Sequence, residues 1–173
     1  MISKRGLADA SIAEIAATAG VAVGTVYNHY ADRDALVAAL FRARREAIVP
    51  SIREAAEVRA GSFEAELRRF VRRVLEVLEQ HRTFVQIVFE ARAGGAHDRS
   101  SRATTVYGVL RSTTDTVLAR GHRSLETEAR AIHTPILVGA IRAVILEEFG
   151  AGGDFSRHAD ALVDVFFDGV RRR

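Results

Sequence analysis

Apolar residues recur along most of the chain every three or four positions, the spacing that gathers them on one side of an α-helix. Ile12, Ile15, Ala16 and Ala19 form the first such stripe. Ser11 stands just before it with Glu14 three residues on, a capping box in which hydroxyl and carboxylate each take a free backbone N–H. Gly20 follows the last apolar position, where a left-handed cap needs a residue without a Cβ. A three-residue link from the glycine leads to a second short helix, predicted over Val23 to Tyr30, whose Val26 and Tyr30 face the first. Thr25, Tyr27, Asn28 and His29 occupy its other side, and Asp32 then caps a third helix.

The third helix carries Leu36, Ala39, Leu40, Ala43 and Ala47 on one stripe, and Pro50 is expected to bend or interrupt it near Val49. Ala60-Gly61 breaks the pattern. Ser62 to Gln80 then shows a wide apolar face of Phe63, Leu67, Phe70, Val71, Val74, Leu75, Val77 and Leu78, which places this helix deep in a bundle. Thr83 to Ala93 is a short apolar helix ended by Gly94-Gly95, and the polar stretch Ala96 to Arg102 reads as a mobile loop. A helix over Ser101 to Arg120 follows, stopped by Gly121.

The last two helices are apolar on more than one side. Within Glu126 to Phe149, the run from Ile136 to Leu146 is interrupted only by Gly139 and Arg142. Phe155 to Val170 shows one stripe at Leu162, Val165, Phe166 and Gly169 and another at Val163, Phe167 and Val170. A helix apolar on two faces needs two partners, and one of them is expected to be a second subunit. Leu137, Ile141, Val144, Leu162, Val165, Phe166 and Gly169 are the predicted interface of such a homodimer, two helices from each protomer.

Composition agrees with an all-α protein. The 173 residues are 48% apolar, include only two Pro, and nowhere alternate as a half-buried strand would. Cysteine is absent, which removes disulfides and cysteine zinc sites and fits a reducing cytoplasm. No signal-peptide region follows Met1 to Arg5. The longest apolar stretch, Pro135 to Leu146, contains Arg142 and is too short for a bilayer, so a soluble, cytoplasmic protein without membrane contact is expected. Residues 1–45 hold six Lys or Arg against four acids, a bias that permits nucleic-acid binding without arguing for it. Arg42, Arg44 and Arg45 read as a solvated helix face.

Catalytic constellations are missing. There is no HExxH, no phosphate loop, no nucleophile motif and no pair of carboxylates in an apolar setting. His81, His97, His122, His133 and His158 lack metal-ligand spacing. No enzyme activity, metal or cofactor is expected.

The stretch from Ser11 to Leu36 resembles the DNA-binding segment of TetR-family (tetracycline-repressor-like) bacterial transcription regulators. The resemblance rests on Ala19-Gly20-Val21, the run Gly24-Thr25-Val26-Tyr27-Asn28-His29-Tyr30, Arg33 and Leu36. The chain departs from the pattern at Ala22, where the family usually has a capping Ser or Thr, and at Val23, often Lys. Tyr30 replaces the commoner Phe and Arg33 the commoner Lys, both keeping the chemistry. The family also places a whole amphipathic helix before Gly6, of which this chain has only Met1 to Arg5, so weakened DNA affinity is expected.

The resemblance implies a helix-turn-helix DNA-binding module over residues 1–45, its first helix largely missing, and a helical effector-binding and dimerisation domain over residues 46–173. Val23, Gly24, Thr25, Tyr27, Asn28, His29 and Arg33 are the implied DNA contacts on a double-stranded, pseudo-palindromic operator. A small hydrophobic effector would sit among the middle helices, for which Phe70, Phe84, Phe89, Tyr107, Arg111 and His133 are candidates. The implied function is ligand-responsive repression of transcription, the effector favouring a spacing of the two recognition helices that no longer fits successive major grooves. The alternative is a helical ligand-binding or protein-interaction module that has lost DNA binding through its shortened N-terminus.

Overall fold

The computed structural model describes residues 10–93, 100–121 and 130–170, side chains at 90–93, 100–105, 130 and 170 excepted. Every regular element among them is helical. In chain order these are α1 (Ile12–Ala19), α2 (Val23–His29), α3 (Arg33–Glu57), α4 (Phe63–Gln80), α5 (Arg82–Ala93), α6 (Ser100–Arg120), α7 (Arg130–Ala151), a 3-10 turn (Phe155–His158) and α8 (Ala159–Val170). Residues 1–9, which would hold the remnant of the helix expected before Gly6, lie outside the described residues, as do residues 96–99 of the expected loop.

Two compact units divide the chain, Met1–Ala47 with Arg82–Thr104, and Ile48–His81 with Thr105–Arg173. The division falls inside α3, three residues before Pro50. The expected interruption at Pro50 does not occur, because α3 continues through it to Glu57. A proline costs one backbone hydrogen bond, and α3 offsets that loss by burying Ile48, Ile52, Ala55 and Ala56 on either side of it.

In the first unit, Ile12, Ala16 and Val26 form a small core against which Tyr30 and Leu36 pack. The rings of Phe41 and Phe84 meet edge to face at 5.2 Å between centroids in the same unit. In the second unit α4 lies deepest, as its wide stripe predicts: Leu67, Phe70, Val71, Val74, Leu75, Val77 and Leu78 are all buried. Its arginine side meets α8 instead. Arg68 bonds Glu64 within its own helix at 2.9 Å and reaches Asp164 on α8, and Arg72 donates to Asp160 at 2.6 Å. Hydrophobic burial thus fixes one face of α4 and a charge ladder registers its neighbour.

The end of α7 is shaped by one buried acid. Glu148 has a side chain only 2% exposed; its Oε1 accepts from Arg157 Nη2 at 2.6 Å and lies 2.7 Å from His158 Nε2. Gly153 lets the chain turn over it, since a Cβ there would sit 2.0 Å from Glu148 Oε2. The 3-10 turn that follows is capped by Asp154, and Glu79 of α4 accepts from the Phe155 N–H at 3.1 Å. The helix expected from Phe155 therefore starts as a tight 3-10 turn and becomes α-helical at Ala159.

Candidate nucleic-acid interface

The site is built on the first helix's two ends. At its start Ser11 Oγ accepts from the Glu14 N–H at 3.2 Å while Glu14 Oε2 accepts from the Ser11 N–H at 2.9 Å, the expected capping box. At its end Gly20 takes φ 70°, a left-handed conformation that costs glycine little. The Gly20 N–H donates to Ala17 at 3.3 Å and the Val21 N–H to Ala16 at 3.0 Å, the paired bonds of a Schellman cap. Both ends of α1 are therefore fixed by side chains and backbone geometry legible in the sequence.

The link to α2 is short, and Ala22 supplies no side-chain cap, as its methyl group requires. The fixed turn and the burial of Val26 set the rotation of α2 about its axis. Val26 is buried, whereas Val23, Gly24, Thr25, Tyr27, Asn28 and His29 are all exposed. Tyr27 is 54% exposed although aromatic, and Val23 is 41% exposed. No acidic residue lies on this helix, so nothing on it repels a phosphate, while hydroxyl, phenol, amide and imidazole offer the groups that phosphates and base edges accept. Tyr30 ends α2 in extended conformation, its N–H donating to Val26 at 2.9 Å. Asp32 then caps α3 through Oδ1, which accepts from the Ala35 N–H at 2.7 Å.

Arg33 behaves differently from the other predicted contacts. It is half-buried, and its Nε–H donates to the Ala10 carbonyl at 3.0 Å. Its head group is tied to the start of α1.

The predicted effector residues divide between the units. Phe84 and Phe89 belong to the first, Phe84 buried against Phe41. Phe70, Tyr107, Arg111 and His133 belong to the second. There Phe70 is buried, Tyr107 half-buried and Arg111 exposed, while His133 is buried edge-on to Phe166 with centroids 6.0 Å apart. Among the described residues no group of His, Asp and Glu is arranged to hold a metal ion. His97 and His122 lie outside those residues.

The residues expected at a dimer interface differ in exposure. Leu137, Ile141, Leu162 and Phe166 are buried inside the protomer itself and Val144 is partly buried, leaving only Val165 and Gly169 exposed. The exposed apolar side of α7 is instead Ile132, Ile136, Gly139, Ala143 and Leu146, a separate stripe at helical spacing. Because this helix is apolar all round, spacing alone could not say which stripe faces the protomer's core.

Residues 1–40 match the family described as bacterial regulatory proteins, tetR family. None of the curated proteins compared matches the sequence. Solved structures match over nearly the whole length. The fatty acid degradation regulator FadR from Bacillus halodurans superposes with a TM-score of 0.79 at 20% identity, covering 99% of this chain and 91% of that one. The MbdR regulator from Azoarcus sp. CIB gives 0.81 at 20% identity over 97% and 92%. FadR from Bacillus subtilis, solved in complex with stearoyl-CoA, gives 0.78 at 16% identity over 97% and 92%. Residues 1–40 are thus similar to the tetR family of bacterial regulatory proteins, and the chain shares the fold of these solved regulators.

Proposed function

We propose that the protein is a DNA-binding transcriptional regulator of the ligand-responsive, repressing kind, acting in the cytoplasm as a homodimer on a pseudo-palindromic operator. The observation that carries this reading is α2, which keeps Val26 buried and turns Thr25, Tyr27, Asn28 and His29 outward with no acid among them. Residues 1–45 would form the DNA-binding module and residues 46–173 the effector-binding and dimerisation domain. A single recognition helix reads too few bases for specificity, so a two-fold pair spaced about one turn of DNA is required. The exposed apolar stripe of α7 and Val165 of α8 supply a surface for the second copy.

Support for a hydrophobic effector comes from the aromatic and aliphatic interior of the second unit and from one relative of the same fold, which was solved with stearoyl-CoA. Selection of duplexes from random oligonucleotides tests the regulator reading. An enriched inverted repeat is the expected result. Absence of any enriched duplex, with a chain extended upstream of Met1 also tested, would favour a helical ligand-binding or protein-interaction module without DNA binding.

A further inference from the structure

Ala10 immediately precedes the capping box of α1, and its carbonyl lies outside the helix's own bonding pattern. The first carbonyl used by the helix is that of Ser11, which accepts from the Ile15 N–H at 3.1 Å. A partly buried carbonyl needs a partner, and the Arg33 Nε–H provides one at 3.0 Å across 23 residues of sequence. Arg33 is the first residue of α3. A cation there faces the positive end of a helix dipole, an unfavourable place for a charge. Its retention there is accounted for by the tie it makes and by the flanking acids Asp32 and Asp34.

We propose that Arg33 is a positioning residue of the helix-turn-helix, its Nε–H holding the start of α1 to the first turn of α3 and thereby setting the aim of α2. α1 is pinned at its start by the capping box and this bond and at its end by the Schellman turn, and the link from Gly20 to Ala22 leaves little slack before α2. A rotation of α1 is therefore passed to α2. Lysine cannot replace this bond in place, because its fourth methylene stands where arginine has Nε.

The test compares Arg33→Lys, which keeps the charge, with Arg33→Met, which keeps only the length, in the full chain. Amide hydrogen exchange in the first turn of α1 should quicken about five-fold in both variants, the fold-change for one ordinary hydrogen bond. This arm is independent of DNA. The second arm rests on the regulator reading and uses a duplex selected from random oligonucleotides beside an unselected one. Both variants should weaken binding to the selected duplex several-fold, and Arg33→Lys should leave the unselected duplex and the salt dependence unchanged. A merely structural role would leave both affinities unchanged well below the unfolding temperature. Wild-type exchange and binding in Arg33→Lys, with the salt slope reduced by about one phosphate in Arg33→Met, would overturn the proposal and make Arg33 a phosphate contact. If no duplex is selected, the regulator reading fails and exchange alone tests the bond: faster in both variants supports the Arg33 tie between α1 and α3, and unchanged in Arg33→Lys refutes it.

Discussion

Tyr27 and Asn28 sit side by side on an exposed, acid-free helix, and on the proposed regulator reading their chemistry would give them different work. A phenol hydroxyl on a phosphate adds affinity for any sequence, whereas an amide can present a donor and an acceptor to one base edge. Tyr27→Ala should weaken binding to selected and unselected duplexes alike. Asn28→Ala should also relax preference at one base pair, costing roughly 1 to 3 kcal/mol on the selected duplex. Equal losses on both duplexes for Asn28→Ala would remove it from base readout. At the same scale Gly121 is held by space: a Cβ there would lie 2.1 Å from Cε1 of Phe63, whose ring meets Phe167 edge to face at 5.8 Å. Gly121→Ala should destabilise the fold by about 1 to 3 kcal/mol in denaturant unfolding, and an unchanged midpoint would mean the Phe63 ring yields freely. The stop at Gly121 was legible in the sequence. The aromatic pressing on it was not, because Phe63 lies 58 residues earlier on α4.

Among elements, the junction of α7 with the 3-10 turn is where charge is most committed. The hydrogen bond with His158 holds the Glu148 carboxyl below the ordinary carboxylate range; burial opposes this and Arg157 adds to it. Since the folded state then binds fewer protons than the unfolded one, stability rises with pH through the interval between the two values. The contribution is present above the unfolded carboxylate value and is lost as pH falls through the depressed folded value. Glu148→Gln should therefore lower thermal stability at neutral pH and make its acid decline shallower than that of wild type. Parallel acid declines for the two proteins would show that Glu148 is not a source of the pH dependence. Glu148, Gly153, Arg157 and His158 are near one another in sequence, yet no motif joins them. What links them is the turn of chain over a buried carboxylate.

For the whole molecule the open question is the second copy. Ile132, Ile136 and Leu146 on one stripe of α7, and Val165 on α8, are each at least 43% exposed, and apolar side chains gathered on a stripe mark an interaction surface more often than a solvated one. Sedimentation at micromolar concentration should show a dimer. Ile136→Asp together with Val165→Asp should yield a folded monomer with an unchanged helical circular-dichroism spectrum. A dimer persisting in that double variant would move the interface elsewhere. Among the described residues no helix is long and apolar enough to cross a membrane.

Local chemistry was within reach of the sequence alone. Ser11 with Glu14, Gly20 and Asp32 act within four residues of their targets, so composition and spacing determine the caps, the turn and the outward face of α2. The burial of α4 was equally legible, because one face is apolar and the other charged. Where periodicity offers no contrast, as in α7, only tertiary packing chose which stripe is core and which is surface. Long-range packing likewise carried α3 through Pro50 and set Arg33, expected from the sequence as a DNA contact, against the Ala10 carbonyl. Those outcomes depend on neighbours distant in the chain, whose position no local pattern records.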